Sequence, residues 1–321
     1  MDKLKPSDVA DASLRLKGIV NRTSIITSRS LNNLTGRSLF LKCENFQRAG
    51  AFKIRGAYNA ISQLEDKQKQ KGIITHSSGN HAQGVALAAS LIGVKSTIVM
   101  PKDAPEVKRA ATKAYGAKII ACQAFEREEV TNELVEQYDL TLIHPYDNQH
   151  IIAGQGTAAW ELFEEVGKLD LLFVPVGGGG LISGSALAAV AKCPSCRVIG
   201  VEPEIAADAR QSWQTGTIAT LNHVPNTMAD GLRSRRIGNL NHKVMRDYVA
   251  DMILVSEKEI LETLLFIWQR LKIVVEPSAA VALAPILSGQ FQDDGQRVGV
   301  ILSGGNADIL GLMAIISEIN D

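Results

Sequence analysis

The chain has 321 residues, of which 45% are hydrophobic, so it can bury a large core as one big domain or as two lobes. Its 34 Lys and Arg residues balance its 34 Asp and Glu residues, which removes any whole-protein electrostatic case for nucleic acid or an anionic membrane as a partner. The amino-terminal segment is polar, and no apolar run approaches the roughly 18 residues of a spanning helix. We therefore expect a cytoplasmic protein that does not cross a membrane.

Short apolar and β-branched runs alternate with Ala-rich helical stretches along the chain. The predicted strands are, in chain order, Ser38–Lys42, Ile73–His76, Ser96–Met100, Lys118–Ala121, Leu171–Val176, Arg197–Val201 and Val298–Leu302. The predicted helices are Arg55–Leu64, Asn80–Ile92, Pro105–Ala114, Arg127–Tyr138, Ile151–Val166, Leu181–Ala191, Glu257–Leu271 and Ser278–Leu287. Apolar strands that do not alternate and that are separated by helices favour parallel sheets covered on both faces. Because the strands exceed what one compact sheet needs, we predict an α/β fold with two lobes.

Four consecutive glycines, Gly177, Gly178, Gly179 and Gly180, follow a predicted strand and precede a helix of small residues. Glycine lets backbone N–H groups converge on an anion without a Cβ clash, and the helix start adds its positive dipole end. A tight structural turn is the alternative, but four glycines make it costly in chain entropy. The dinucleotide-binding motif G-x-G-x-x-G does not match, because the position of its last glycine is occupied by Ile182. The run predicts a phosphate site.

Lys53 follows Phe52 and small residues and precedes a predicted helix. An amine desolvated there would have a lowered pKa and could attack a carbonyl, whereas an ordinary lysine is solvated. A further hydroxyl, that of Ser303, comes directly after a late apolar strand in the sequence Ser-Gly-Gly-Asn. An amine, a phosphate cradle and this hydroxyl are what a protein needs to hold pyridoxal 5′-phosphate.

The segment Ser77-Ser78-Gly79-Asn80-His81 closes one strand and opens a helix. Its hydroxyls, its side-chain amide and the free N–H groups of a helix start suit a carboxylate. A Ser or Asn N-cap is the structural alternative, and the two interpretations are compatible.

Two acidic residues and two cysteines have spacings that could serve metal or redox chemistry, but in each case the spacing alone favours a simpler interpretation. Glu202 and Asp208 lie six positions apart, which by itself favours a solvated acidic loop. Cys193 and Cys196 have redox-motif spacing but join a helix to a strand without a second metal-binding pair, so we expect two reduced thiols.

With these motifs identified, the chain resembles the fold-type II pyridoxal-phosphate enzymes, and most closely the serine racemase and serine/threonine dehydratase (ammonia-lyase) family. The resemblance covers nearly the whole chain. Besides the segments above, it is carried by Cys43-Glu44-Asn45-Phe46-Gln47, Ala153-Gly154-Gln155-Gly156-Thr157, Gly200-Val201-Glu202-Pro203, Ala229-Asp230-Gly231 and Val275-Glu276-Pro277. It implies a two-lobed fold like that of the tryptophan synthase β chain. The large cofactor domain would comprise residues 1–70 and 148–321, and the small domain residues 71–147.

The resemblance also implies roles in cofactor binding. Lys53 would bind the cofactor covalently and then serve as the base at Cα of the substrate. The amides of the glycine run, with Leu181, would bind the phosphate. Asn80 would hydrogen-bond the ring hydroxyl, Phe52 would pack near the ring, and Ser303 would meet the pyridine nitrogen. Because a hydroxyl cannot protonate that nitrogen as an aspartate would, the ring is a weaker electron sink, which favours loss of a β leaving group.

For the substrate, the resemblance implies that Ser77, Asn80 and His81 hold the carboxylate, mainly through the backbone of their loop. Ser78 would lie on the opposite face of the ring from Lys53. Such a pair can remove a proton from one face and return it on the other. Racemisation needs both residues, whereas elimination needs only Lys53.

The resemblance implies a divalent cation site and, more remotely, a nucleotide site. Glu202, Asp208 and the carbonyl of Ala206 match a site for Mg²⁺, or for Ca²⁺ or Mn²⁺, which would stiffen the lobe carrying the glycine run. Arg127 could close over an acidic or hydroxylated substrate. Three further residues match positions where some racemases hold ATP at a subunit interface, and the family leads us to expect a homodimer. These three are Lys108, Tyr115 and Asn306.

The activity implied is pyridoxal-phosphate-dependent dehydration of L-serine or L-threonine to a 2-oxo acid and ammonia, alongside interconversion of L- and D-serine. The first alternative is a threo-3-hydroxyaspartate or phenylserine dehydratase on the same fold, because the pocket wall is not readable from the sequence. A non-catalytic cofactor-binding regulatory protein is the alternative of a different class. The intact lysine, glycine run and Ser303 argue against it.

Overall fold

Two separate β-sheets organise the chain, whose computed structural model describes residues 4–102, 104, 106–292 and 295–313. The strands are β1 (Ile25–Ile26), β2 (Ser38–Cys43), β3 (Ile73–His76), β4 (Ser96–Pro101), β5 (Lys118–Cys122), β6 (Thr141–Leu142), β7 (Leu171–Pro175), β8 (Arg197–Pro203), β9 (Asp251–Val255) and β10 (Arg297–Leu302). The α-helices are α1 (Pro6–Leu16), α2 (Arg29–Thr35), α3 (Lys53–Ser62), α4 (Asp66–Lys71), α5 (Asn80–Ile92), α6 (Glu106–Ala114), α7 (Arg127–Tyr138), α8 (Gln149–Val166), α9 (Gly180–Lys192), α10 (Asp208–Thr215), α11 (Asn239–Tyr248), α12 (Glu257–Phe266), α13 (Pro277–Ala280) and α14 (Ala284–Leu287).

The larger sheet has six strands in the order β1-β2-β10-β7-β8-β9. Only β1 runs antiparallel to its neighbour, and the other pairs are parallel. On the central strand β7, Leu171 and Phe173 belong to one hydrophobic cluster and Leu172 and Val174 to another. Successive side chains of a strand point to opposite faces, so the two clusters cover both faces of this sheet.

The smaller sheet has four strands in the order β5-β4-β3-β6, all parallel. Ile73 and Ile74 of β3 again belong to different hydrophobic clusters, which places helices on both faces. The predicted α/β architecture with mostly parallel, helix-covered sheets is therefore confirmed. All strands of this sheet come from residues 73–142, while the domain boundaries at 70/71 and 147/148 stay a prediction.

Helix α8 fixes the distance between two helices that begin at the predicted site. Its Gly154 lies against Gly56 of α3, and its Gly156 lies against Gly184 of α9. A Cβ at any of these positions would meet backbone atoms of the facing helix, so the three helices need glycine to approach this closely. The contact sets the start of α3, with Lys53, relative to the start of α9, which follows the glycine run.

Several predicted helices differ from those observed. The predicted helix Ser278–Leu287 is two short helices, α13 and α14, because Pro285 has no N–H group and cannot continue a helix. The predicted helix Glu257–Leu271 ends as an α-helix at Phe266 and continues as a π-helix over Ile267–Leu271. The start of the predicted helix at Pro105 lies outside the described residues. The prediction also omitted β1, β6, β9 and five helices, most of them short.

All four cysteines are free thiols in buried positions, which agrees with the expectation of two reduced thiols at Cys193 and Cys196. The Sγ atom of Cys193 donates to the carbonyl of Leu169, and burial raises the pKa of the Cys196 thiol to about 12. These thiols are structural rather than reactive. None of the helices within the described ranges combines the length and apolar character that a bilayer crossing requires.

Candidate active site

Lys53 is the first residue of α3, at the edge of the larger sheet where β10 ends. Its Nζ atom donates a hydrogen bond to the carbonyl of Pro145 at 3.0 Å. The N–H of Phe52 donates to the carbonyl of Ser303 at 3.1 Å, and Ala51 forms an isolated bridge with Gly304. The structure therefore brings Ser303 next to Phe52 and Lys53, from which it is about 250 positions away in the sequence.

A buried charge cluster anchors the first turn of α3. The guanidinium of Arg55 is fully buried and donates to Glu44 at 2.7 Å and to Glu161 at 2.8 Å. Lys42 donates to the same Glu161 carboxylate at 2.7 Å. Burial opposes ionisation of Glu44, but the charge and hydrogen bonds of Arg55 outweigh it and lower the pKa of that carboxyl. Because every charge here has a partner, the cluster holds the helix start, and with it Lys53, in one position.

The surroundings of Lys53 make its amine easier to deprotonate. Desolvation lowers the pKa of its amine from 10.5 to about 8, and the negative charge of Glu276 opposes part of this shift. A neutral amine is required to attack a carbonyl or to accept a proton, so Lys53 has the property expected of a covalent and basic residue.

We expect the rate at which the cofactor-free protein captures pyridoxal 5′-phosphate to rise with pH and to level off above about 8, rather than near 10.5. Below pH 8 the amine is protonated and cannot react. Absorbance stopped-flow over pH 6–11 would measure this, with a small lysine derivative as the reference amine. The variant Glu276→Gln should move the inflection to lower pH. A capture rate that still climbs tenfold per pH unit at pH 10 would contradict the lowered pKa.

Glu276 is a site residue to which the sequence analysis gave no role. It is buried, and its carboxylate accepts a hydrogen bond from Asn80 Nδ2 at 2.7 Å. Asn306 Nδ2 donates to Asn80 Oδ1 at 2.9 Å and to the carbonyl of Ala49 at 2.8 Å. Burial raises the pKa of Glu276 to about 7. The amide of Asn80 is thus fixed from both ends, with one N–H left for a ligand.

The start of α5 is a helix N-terminus without a side-chain cap. Its N-cap is Gly79 and not the Ser or Asn that the sequence suggested, because Ser77 Oγ accepts from the Gly79 N–H at 3.2 Å instead. The first N–H groups of the helix therefore have no side-chain acceptor in the described ranges, and they suit a carboxylate. Ser78 lies in the same loop, half-buried, and its hydroxyl has no hydrogen-bond partner among the described residues.

His81 is buried within the first turn of α5. Its Nε2 atom lies 3.1 Å from the carbonyl of Ile143, which can only accept, so Nε2 carries the proton. Burial lowers the pKa of His81 well below its usual value, and its Nδ1 atom has no hydrogen-bond partner within the described part of the chain. The neutral ring cannot donate to a carboxylate from Nδ1. The contribution of His81 is then its backbone N–H.

The glycine run forms the start of α9. Its N-cap is Gly179, whose φ of 92° lies in the left-handed region that only glycine adopts without strain. No side chain of the described residues caps the helix, which leaves the N–H groups at Gly180 and Leu181 without a side-chain acceptor. Gly177 is half-buried beside them. Such a helix start suits a phosphate.

A segment that the sequence analysis did not select, His144–Asp147, joins these parts. The carbonyl of Pro145 accepts from Lys53, and the ring of Tyr146 lies so close to Gly178 that a Cβ there would overlap it. In the sequence this segment could have been noticed only as His-Pro-Tyr-Asp between a short strand and a helix that Asn148 caps. The segment forms the wall between the amine and the glycine run.

The two carboxylates of the predicted cation site are both buried. Glu202 at the end of β8 accepts from the N–H groups of Ala209 at 3.0 Å and Arg210 at 2.7 Å. Asp208 begins α10, and none of the described residues forms a hydrogen bond with its Oδ2 atom. Burial raises the pKa of Asp208 to about 7, and burial together with the charge of Asp208 raises that of Glu202. Neighbouring buried carboxylates of this kind fit a hard cation, although the described residues contain no cluster of three metal-binding side chains.

The remaining predicted residues are engaged elsewhere. The Nε atom of Arg127 donates to the carbonyl of Ala124 at 2.9 Å. Lys108 of α6 forms an ion pair with Asp230, which lies between α10 and α11. Tyr115 packs against the core of the smaller sheet. Within the described ranges no hydrogen bond or ion pair joins the three residues predicted for a nucleotide.

Comparison with known proteins assigns the fold and the cofactor. The family described as "Pyridoxal-phosphate dependent enzyme" matches residues 16–304. The chain belongs to this family. It is 48% identical to the L-threo-3-hydroxyaspartate ammonia-lyase of Saccharomyces cerevisiae over 98% of this chain and 97% of that one. It is also 48% identical to the serine racemase of Schizosaccharomyces pombe, over 94% of both chains. The solved structure of maize serine racemase matches with a TM-score of 0.94, 44% identity and coverage of 99% and 98%.

This protein is a pyridoxal-phosphate-dependent enzyme of the ammonia-lyase and racemase kind, and its site fits the cofactor. An amine with a lowered pKa, an uncapped helix start behind four glycines and a hydroxyl at Ser303 are all present at one edge of the larger sheet. The fold-type II resemblance is confirmed. Relatives that match nearly the whole chain are enzymes, which removes the support for a non-catalytic regulatory protein.

Proposed function

We propose that this enzyme dehydrates L-serine and L-threonine to the 2-oxo acid and ammonia and interconverts L- and D-serine. The observation that carries the proposal is Lys53, an amine of lowered pKa that donates to the carbonyl of Pro145. Helix α5 packs against the start of α3 at Gly84, and we propose that the loop before α5 thereby presents the Ser78 hydroxyl to the same substrate. The comparison with serine racemases supports the same activity.

The cofactor supplies the aldehyde that Lys53 engages and the electron sink for the charge that develops at Cα. The free N–H groups at the start of α5 hold the substrate carboxylate, with Ser77 fixing the loop. Lys53 Nζ removes the α-proton. The glycine run would hold the phosphate through its free N–H groups, Phe52 would pack beside the ring, and Ser303 would meet the ring nitrogen.

A second candidate activity is dehydration of L-threo-3-hydroxyaspartate. The relatives of that name from Saccharomyces cerevisiae and a Pseudomonas species are each 48% identical to this chain. Arg127, at the start of α7, would receive the extra carboxylate once it leaves the carbonyl of Ala124.

The test is a comparison of kcat/KM for L-serine, L-threonine, L-threo-3-hydroxyaspartate and threo-phenylserine, with D-serine and pyruvate measured together on L-serine. The proposal expects both products from L-serine. Absence of both, with turnover of hydroxyaspartate, would replace the first activity by the second. The variant Arg127→Gln should then lower turnover of hydroxyaspartate more than turnover of serine.

Glu202, Asp208 and the carbonyl of Ala206 are the proposed site of a Mg²⁺, Ca²⁺ or Mn²⁺ ion. We expect millimolar Mg²⁺ to raise the midpoint of thermal unfolding of the wild type, since an ion that binds only the folded state stabilises it. Asp208→Asn should abolish this gain while the protein still folds. Asp251→Asn, at an exposed carboxylate on β9, is the control and should keep the gain. Equal gains in wild type and Asp208→Asn would place the ion elsewhere.

The homodimer, the domain boundaries, the location in the cytoplasm and ATP binding remain predictions. An ATP site that uses Lys108 would require its ion pair with Asp230 to open. Tyr115 and Asn306 would complete that site. Titration of the purified protein with ATP, followed by analytical ultracentrifugation, tests nucleotide binding and the dimer in one preparation.

A further inference from the structure

The carbonyl group of Gly178 is held by two donors in the middle of the glycine run. It accepts from the Gly238 N–H at 3.1 Å and from Asn241 Nδ2 at 2.9 Å. In a trans peptide the carbonyl oxygen of one residue and the N–H of the next point in opposite directions. When Gly178 directs its oxygen at α11, the N–H of Gly179 is directed away from α11.

Asn241 lies in the first turn of α11 and is fully buried. Its Nδ2 atom donates to a second carbonyl, that of Tyr146, at 3.1 Å. Because both neighbours are carbonyl oxygens, the amide nitrogen and not the amide oxygen must face them. Asn241 Oδ1 has no hydrogen-bond partner among the residues that the structure describes. A buried amide with an unpartnered oxygen is costly to the fold, so this side chain is not explained by stability alone.

Helix α11 is itself held in place by Asp147. The Asp147 carboxylate accepts from the N–H groups of Asn239 at 2.9 Å and Leu240 at 2.8 Å, at the positive end of the helix. His144 Nδ1 accepts in turn from the N–H groups of Asp147 at 2.9 Å and Tyr146 at 3.3 Å. The segment His144–Asp147 therefore fixes the helix from which Asn241 reaches the glycine run.

The same segment contacts the other end of the site, because the carbonyl of Pro145 accepts from Lys53 Nζ at 3.0 Å. A cofactor held covalently at one end and by its phosphate at the other requires a fixed spacing between the two. The segment His144–Asp147 contacts both ends, and Asn241 is its link to the phosphate end.

We infer that Asn241 is a positioning residue of the phosphate site. It holds the peptide between Gly178 and Gly179 so that the Gly179 N–H faces the phosphate. The inference rests on the proposed binding of the cofactor phosphate at the glycine run. It goes further by assigning a residue that does not touch the cofactor and that no glycine motif contains.

The experiment compares two ligands of the cofactor-free protein, pyridoxal 5′-phosphate and pyridoxal, which lacks the phosphate. Equilibrium affinities are measured by absorbance titration for wild type, Asn241→Leu and the control Asn239→Ala, an exposed residue of the same helix turn. Asn241→Leu should bind pyridoxal phosphate about 10- to 100-fold more weakly, the range expected for a misdirected hydrogen bond to a charged group, and pyridoxal as wild type does. Asn239→Ala should match wild type with both.

Circular dichroism and the midpoint of thermal unfolding establish that each variant is folded, and Asn241→Ala repeats the measurement without added bulk. Equal affinity of wild type and both Asn241 variants for pyridoxal phosphate overturns the inference. So does an equal loss for both ligands, because that pattern marks a merely structural residue. Gly179→Ala tests whether the glycine run binds the phosphate at all, independently of Asn241. If this variant also keeps the wild-type preference for the phosphorylated ligand, the glycine run is not the phosphate site and the proposed assignment fails.

Discussion

Lys53→Ala should lower dehydration and racemisation of serine by about 10³-fold or more, because one side chain supplies both the covalent attachment and the base at Cα. The amine already has a pKa near 8, and its hydrogen bond to Pro145 directs it toward the wall of the site. Borohydride reduction followed by peptide mapping should place the pyridoxyl group on Lys53 in the wild type. No labelled peptide should be recovered from the variant.

Two variants distinguish this role from a general loss of positive charge. Lys53→Arg keeps the charge, but a guanidinium neither loses its proton nor forms the covalent link, so it should be as inactive as the alanine variant. Lys67→Ala removes an exposed lysine of α4 and should leave turnover and labelling unchanged. A label on another lysine, or trapping that persists in Lys53→Ala, would end the assignment.

The sequence predicts the fold because its signals are local. Buried strands such as β3 and β7 read as uninterrupted apolar runs, and the helices beginning at Asn80 and Arg127 are observed with the predicted bounds. The two-residue strands β1 and β6 are too short to give a pattern, and they exist because longer strands pair with them.

The site is predictable only where one short motif carries the chemistry. Lys53 and the glycine run are of that kind. Glu276 is not, because its partner Asn80 is 196 positions away along the chain, and burial rather than a motif raises its pKa. Likewise Tyr146 acquires its place only when the segment after β6 packs on the glycine run.

The structure also changes how two predicted residues can act. The imidazole of His81 donates to the carbonyl of Ile143, and its pKa is strongly lowered, so the ring is neutral. His81 can therefore bind a carboxylate only through its backbone N–H. Asn80 keeps a single free N–H, because Glu276 and Asn306 occupy the rest of its amide. Side-chain identity showed which groups were present, whereas tertiary contacts decide which of their atoms remain available.

Ser78→Ala should separate the two reactions that Lys53→Ala abolishes together. The Ser78 hydroxyl has no partner among the described residues and lies in the loop before α5, so it is free to exchange a proton with the substrate. Racemisation of L-serine should fall about 10²- to 10⁴-fold, the usual contribution of a general acid or base. Dehydration of L-serine should fall less than about 10-fold, because its α-proton is transferred to Lys53 and not to Ser78.

D-serine provides a stricter test of this prediction. In the proposed arrangement the α-proton of L-serine faces Lys53, whereas the α-proton of D-serine faces Ser78. Dehydration of D-serine should therefore fall with racemisation, and the ratio of L- to D-serine turnover should rise in Ser78→Ala. Ser77→Ala is the matched control: Ser77 Oγ accepts from the Gly79 N–H at 3.2 Å, so its loss should disturb the loop and weaken turnover of both enantiomers alike. Chiral chromatography of serine together with a coupled pyruvate assay measures all these rates. If Ser78→Ala lost L-serine dehydration as completely as racemisation, the hydroxyl would serve the loop rather than the second face of the substrate.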